Sequence, residues 1–132
     1  MINSKVTLSA LKGRFAISRL SAGAEIPRRA LDQSFFSITR TPDELSIVCP
    51  EESAPEGELC EKGWRCLKVQ GPLDFSMTGV MASLAMPLAE AGISIFSVST
   101  FDTDYLLVKE RDVERAIDAL IKAGHSVQRQ QE

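Results

Sequence analysis

Apolar and polar residues follow the clearest strand pattern between residues 93 and 108. Two arms, 93–100 and 105–108, are rich in β-branched and aromatic residues, which predicts two strands. Between them lie Asp102, Thr103 and Asp104, whose short polar side chains bond readily to nearby backbone. The stretch is therefore expected to fold as a hairpin with a tight polar corner.

A similar pattern occurs sixty positions earlier in the chain. Residues 36–39 match residues 96–99, and residues 45–48 match residues 105–108. Both copies carry an acidic corner of equal length. Self-similarity at a fixed spacing indicates internal duplication, with chance likeness between two hairpins as the alternative.

The pattern from residue 64 onwards predicts a complete set of elements. A strand is expected at 64–69, a loop at 71–76, and a helix at 77–91 with Val80, Leu84 and Leu88 on its apolar face. After the hairpin, Asp112 is placed to cap a second helix, and residues 125–127 predict a short last strand. The order strand, helix, strand, strand, helix, strand predicts an α+β ferredoxin-like βαββαβ module, with both helices on one face of an antiparallel sheet.

The first half of the chain predicts the same plan with shortened helices. Strands are expected near 5–12, 14–20, 35–40 and 45–49, with a short helix near 27–31. The acidic segment 50–63 has no periodicity and is interpreted as the connection between the halves. The predicted domains are therefore a reduced N-terminal half, 1–62, and a complete module, 63–132.

Composition narrows the class of function. Fifteen basic and eighteen acidic residues give a net charge of −3, which argues against nucleic-acid binding. No apolar run approaches the roughly 20 residues of a membrane span. The three cysteines have no close pair, and we expect reduced thiols in a cytoplasmic protein. With a single histidine, a metal site is not expected.

The sequence gives only weak indications of catalytic residues. His125 follows a predicted helix and is interpreted as a last-turn residue that interacts with the helix dipole. Cys49 and Cys66 have no obvious basic activator, so inert buried thiols are expected. Asp102 and Asp104 could act as an acid–base pair, but turn formation is the commoner use of aspartate here. No catalytic residue and no cofactor are predicted.

Recognition of a small zwitterion fits the same residues better. The loop 71–76 runs into a helix start, where unpaired N–H groups favour a carboxylate. Gly79 would let a ligand come close, and Asp74, Asp102 or Asp104 could accept an amino group. The alternative is that Asp74 or Ser76 only caps the helix.

Residues 35–44, 85–90 and 99–108 resemble the ACT-domain family, which consists of small βαββαβ regulatory modules that bind amino acids. The likeness spans most of residues 14–125. It is strongest to the subgroup with tandem ACT modules, which includes CASTOR-type arginine sensors and relatives of aspartate-kinase regulatory domains. The run from Ser99 to Tyr105, with a threonine–aspartate step before the tyrosine, is its most specific part.

The resemblance implies a ligand site between paired modules, formed by the loop before the first helix and by the facing strand. The ligand-binding residues it implies are Gly71, Leu73, Asp74, Phe75, Ser76, Thr78, Gly79, Ile95, Ser97, Thr100, Asp102 and Asp104. Asp104 occupies the threonine–aspartate step, whose aspartate contacts the ligand in the arginine sensors. The loop 71–76 does not reproduce the sensors' residues, so the resemblance does not assign arginine as the ligand.

These expectations describe a regulatory, amino-acid-binding protein that is not itself an enzyme. A homodimer would restore the four modules of the arginine sensors, and an isologous contact is the commonest way to form one. Regulation would then act in trans on a protein partner. The alternative is an ACT-like fold kept as a dimerisation scaffold without a ligand.

Overall fold

Eight strands and three helices are formed by the described residues, which are 5–56, 59–71 and 79–129 of this computed structural model. The strands are β1 (Thr7–Ala10), β2 (Phe15–Leu20), β3 (Ser37–Arg40), β4 (Leu45–Pro50), β5 (Cys60–Val69), β6 (Ile95–Ser99), β7 (Asp104–Lys109) and β8 (Ser126–Arg129). The helices are α1 (Arg28–Leu31), α2 (Val80–Glu90) and α3 (Val113–Lys122), with 3-10 turns at Glu51–Ser53 and Glu110–Asp112. The chain divides into two units, Gly13–Trp64 and Met1–Lys12 with Arg65–Glu132.

The C-terminal unit has the strand order β6-β7-β5-β1-β8. Strand β1 pairs antiparallel with β5 and parallel with β8, so it lies between the first and last strands of the predicted module. Alternate residues of β5 and β7 form one buried cluster with both helices, whose members include Leu67, Val69, Leu84, Leu88, Leu106, Val108, Ala116 and Leu120. Both helices therefore cover one face of the strands, and the predicted ferredoxin-like fold is confirmed.

The N-terminal unit has the strand order β3-β4-β2-β5. Its first helix, α1, is a single turn, and a 3-10 turn at Glu51–Ser53 stands where a second helix would be. The expected shortening of the helices is confirmed. The interpretation of 50–63 as an unstructured connection is partly wrong, because β5 already begins at Cys60 and pairs with β2.

The two hairpins correspond at a spacing of 59 residues, not sixty. Arg40 pairs with Leu45 in the first hairpin and Ser99 pairs with Asp104 in the second, so each corner has four residues. Thr41 and Thr100 begin the two corners. A difference of one residue in the alignment of the two hairpins places every strand side chain on the opposite face. The match between their apolar residues did not reveal this difference.

One predicted helix start and one predicted capping bond need correction. Gly79 has φ 86°, a left-handed conformation from which α2 begins at Val80, three residues after the predicted start. Asp112 precedes α3 but makes no side-chain capping bond, and its carboxylate instead accepts a bond from Arg115 at 2.7 Å. Within the described ranges, no helix is both long and apolar enough to span a bilayer.

Candidate functional site

The corner between β6 and β7 is held by its two threonine hydroxyls. The Thr100 backbone N–H donates to the Thr103 carbonyl at 2.8 Å, and the Thr100 Oγ1 accepts the Thr103 N–H at 3.2 Å. Thr103 is buried, and its Oγ1 donates to the Val69 carbonyl at 2.7 Å. These bonds join the corner to the end of β5 and give it a fixed conformation.

A cavity of about 390 Å³ lies beside this corner. Its lining residues come from the end of β5 and from the corner: Lys68, Gln70, Gly71, Thr100, Asp102, Thr103 and Tyr105. Three residues predicted from separate stretches of sequence, Gly71, Thr100 and Asp102, are thus brought together. The other four lining residues were not predicted as ligand-binding: Lys68, Gln70, Thr103 and Tyr105. For Lys68 and Tyr105, strand alternation opposite the buried Leu67 and Leu106 could have indicated that their side chains share the other face.

Three further predicted residues lie outside the cavity lining. Asp104 opens β7 and accepts a hydrogen bond from the Ser99 hydroxyl at 2.7 Å. Strand alternation places Asp104 on the side of Leu106, which is the side covered by the helices. Ser97 is exposed opposite Leu106, and Ile95 packs against the helix cluster. The two aspartates that the sequence groups together therefore occupy different surroundings.

The segment before α2 is described only at its ends. Gly71 lines the cavity, and the Gly79 carbonyl accepts the Ser83 N–H at 2.9 Å in the first turn of α2. The predicted residues between these two glycines lie outside the described residues; they are Leu73, Asp74, Phe75, Ser76 and Thr78.

A second concavity, a groove of about 560 Å³, lies between α2 and α3. Its floor contains alanines, and its walls carry Glu90, Arg115, Asp118 and Lys122. Arg115 donates to the Ala91 carbonyl at the end of α2 as well as to Asp112. Of the predicted ligand-binding residues that the structure describes, none lines this groove.

Cys49 and Cys66 are buried free thiols. Burial raises the pKa of Cys66 to about 12, and burial followed by the nearby Cys60 raises the pKa of Cys49. A thiol with a raised pKa is a poor nucleophile near neutral pH. Among the described residues, no group of histidine, cysteine and acidic side chains could hold a metal ion.

A βαββαβ unit with a polar cavity at its hairpin corner defines a class of small ligand-binding modules. Residues 59–122 match the family model described as the ACT domain, and residues 13–57 match a model described as an N-terminal domain. The chain belongs to the ACT-domain family, as the resemblance implied.

Relatives and solved structures agree with this assignment. The chain is 32% identical over 108 residues to the cytosolic arginine sensor for mTORC1 subunit 1 from Bos taurus, covering 74% of this chain and 32% of that protein. It therefore spans about a third of the length of that relative. Protein Atu0741 from Agobacterium tumefaciens is 45% identical with a TM-score of 0.92, covering 98% of this chain and 97% of that one.

A more distant neighbour shows the fold alone. The regulatory subunit of aspartate kinase from Thermus thermophilus, in its ligand-free form, has a TM-score of 0.65 at 15% identity. The match covers 92% of this chain and 99% of that subunit.

Proposed function

We propose that this protein is a regulatory module that binds a free amino acid at the corner cavity. The observation that carries the proposal is that Gly71, Thr100 and Asp102 meet around one polar cavity. They come from the two segments, the loop before α2 and the facing hairpin, that hold ligands in ACT modules. The relative that is named as an arginine sensor supports an amino acid as the class of ligand.

The proposed mode of action is binding without catalysis. A ligand shifts a conformational equilibrium only as far as it binds one state more tightly than the other. The bound state would then be recognised by a protein partner in the cytoplasm, which this module regulates in trans. Arginine itself is not proposed as the ligand, because the loop 71–76 departs from the sensors.

The proposal also includes a homodimer with the ligand between paired modules. Strand β6 pairs with β7 alone among the described strands, so its other edge has backbone groups that can meet a second copy. A reduced ACT-like half followed by a complete ACT domain in each chain would then supply the four modules of the longer sensors. Light scattering across a dilution series would measure this association.

A melting screen tests the binding proposal. The purified protein is heated with each common amino acid at millimolar concentration, and a ligand at a hundred times its Kd adds about 2.7 kcal/mol of stability. At least one amino acid is expected to raise Tm, and the Asp102→Asn variant should lose that shift. Asp43→Asn is the matched control, because Asp43 holds the equivalent place in the first corner. If no amino acid raises Tm, the scaffold alternative is favoured.

A further inference from the structure

The cavity beside the corner contains two charged side chains that no described residue pairs. The Thr100 hydroxyl donates to the Thr103 carbonyl within the corner, the Thr103 hydroxyl donates to the Val69 carbonyl, and the Gln70 amide donates to the Ser9 hydroxyl. The Lys68 ammonium and the Asp102 carboxylate form no hydrogen bond or ion pair within the described parts of the chain. They line the same cavity but are not bonded to each other.

The two charged groups are positioned by different elements. Lys68 lies in β5 with buried neighbours, Leu67 and Val69, on both sides. Asp102 lies in the corner that the Thr103–Val69 hydrogen bond joins to the end of the same strand. The backbone positions of both residues are therefore set before a ligand binds, so that binding orders only their side chains. The cavity is therefore arranged for a molecule that carries both signs of charge.

We propose that Lys68 binds the α-carboxylate and Asp102 binds the α-ammonium of the amino acid ligand. This inference rests on the proposed function and names the groups that recognise the ligand's main chain. Hydrogen bonds between ionised partners are roughly twice as strong as neutral ones, so both poles contribute to affinity. The ligand must then have both its carboxylate and its ammonium free, and a cationic side chain gains nothing from Lys68.

Calorimetry with modified ligands tests the binding of the α-carboxylate and of the α-ammonium separately. The wild-type protein is titrated with the amino acid found in the melting screen, with its α-amide, which lacks the carboxylate, and with its N-acetyl derivative, which lacks the ammonium. Each modification is expected to weaken binding at least tenfold. Lys68→Gln should bind the amino acid at least tenfold more weakly and no longer distinguish it from the amide. Asp102→Asn should likewise stop distinguishing the acetylated form.

Two further variants keep the result interpretable. Lys68→Arg retains the positive charge and should retain most of the affinity, whereas Lys62→Gln removes an exposed lysine of the same strand and should change nothing. If the wild type binds but Lys68→Gln keeps its affinity and still rejects the amide, Lys68 does not bind the α-carboxylate. That result overturns this inference while the proposed function stands. If no amino acid binds the wild type, both proposals fall.

Discussion

The Nε2 atom of His125 lies 3.0 Å from the carbonyl oxygen of Ser83. Pro87 has no N–H, so within α2 this carbonyl lacks its usual donor four residues later. The His125 Nδ1 accepts the Val6 N–H at 3.2 Å, and a backbone N–H can only donate. The ring proton therefore lies on Nε2 and points to Ser83. His125 is therefore a buried clamp between α2 and the chain before β1, a role that its interpretation as a last-turn residue interacting with the helix dipole did not include.

Removing this imidazole should destabilise the C-terminal unit. His125→Ala leaves the Ser83 carbonyl and the Val6 N–H without partners, and an unpaired buried polar group costs about 1–3 kcal/mol. The free energy of unfolding should fall by about 2–4 kcal/mol in urea titrations followed by circular dichroism. A fall below about 0.5 kcal/mol, the scale of an ordinary surface substitution, would contradict the clamp.

The part of this effect that depends on Pro87 can be measured separately. Pro87→Ala restores an N–H that can donate to the Ser83 carbonyl, so the loss of His125 should cost about 1 kcal/mol less in that background. A double-mutant cycle measures the difference. Strict additivity of the two substitutions would show that the histidine does not compensate for the proline.

The Gly63 backbone predicts a second stability effect. Gly63 has φ 82° where the pairing of β2 with β5 shifts register, and its N–H donates to the Glu51 carboxylate at 3.0 Å. Gly63→Ala should cost about 1–2 kcal/mol through backbone strain alone, because a Cβ there meets nothing within 4 Å. Gly23 has equally open surroundings without a positive φ, so Gly23→Ala is the control and should leave Tm unchanged or slightly raised.

Thr103 contributes to the stability of the fold and also lines the cavity. Thr103→Val keeps the shape of the side chain but removes the donor to the Val69 carbonyl, which should cost about 1–3 kcal/mol. The corner that carries Asp102 should loosen, so ligand affinity should fall as well. Thr39→Val, at an exposed position in β3, is the matched control. Unchanged stability and affinity in Thr103→Val would show that the hydroxyl does not hold the corner.

The buried thiol of Cys66 predicts a pH effect. Burial raises its pKa from 9.0 to about 12 in the folded protein. Between these values the unfolded chain releases a proton that the folded chain keeps, so stability is complete below pH 9 and falls as the pH rises towards 12. From pH 9 to 11 the Cys66→Ala variant should lose less unfolding free energy than the wild type, by about 1.4 kcal/mol per pH unit.

The control for the pH effect is Cys60→Ala, which removes a partly exposed thiol from the same strand. Each variant differs from the wild type by one thiol and shares every other ionisable group with it, so only the difference in slope from the wild type is compared. Equal slopes for wild type and Cys66→Ala would refute the raised pKa.

Local pattern predicted the hairpin and the helices well. The arms 93–100 and 105–108 appear as β6 and β7, and the apolar spacing of Val80, Leu84 and Leu88 appears as the buried face of α2. These features depend on residues a few positions apart, which is the range over which periodicity carries information. The hypothesis of a zwitterion site grouped the loop 71–76 with Asp102, and the family resemblance added Thr100, although no local pattern relates the two segments.

Long-range features were not predictable in this way. Strand β1 lies between β5 and β8 because Leu8 pairs with Val69 and Val127, partners more than fifty residues away. The role of His125 depends on a carbonyl 42 residues earlier that becomes available only because of Pro87. The sequence around Lys68 predicts only a polar residue of a strand, and only the fold shows that Lys68 shares a cavity with Asp102.

Binding of an amino acid in the corner cavity can be located residue by residue with NMR. Amide shifts of the ¹⁵N-labelled protein would be followed while the amino acid chosen by the melting screen is titrated. If the ligand binds in the corner cavity, saturable changes are expected at residues 68–71 and 100–105, with little change along the groove between α2 and α3. Changes centred on Glu90, Arg115 and Lys122, or no saturable change at any amide, would contradict it.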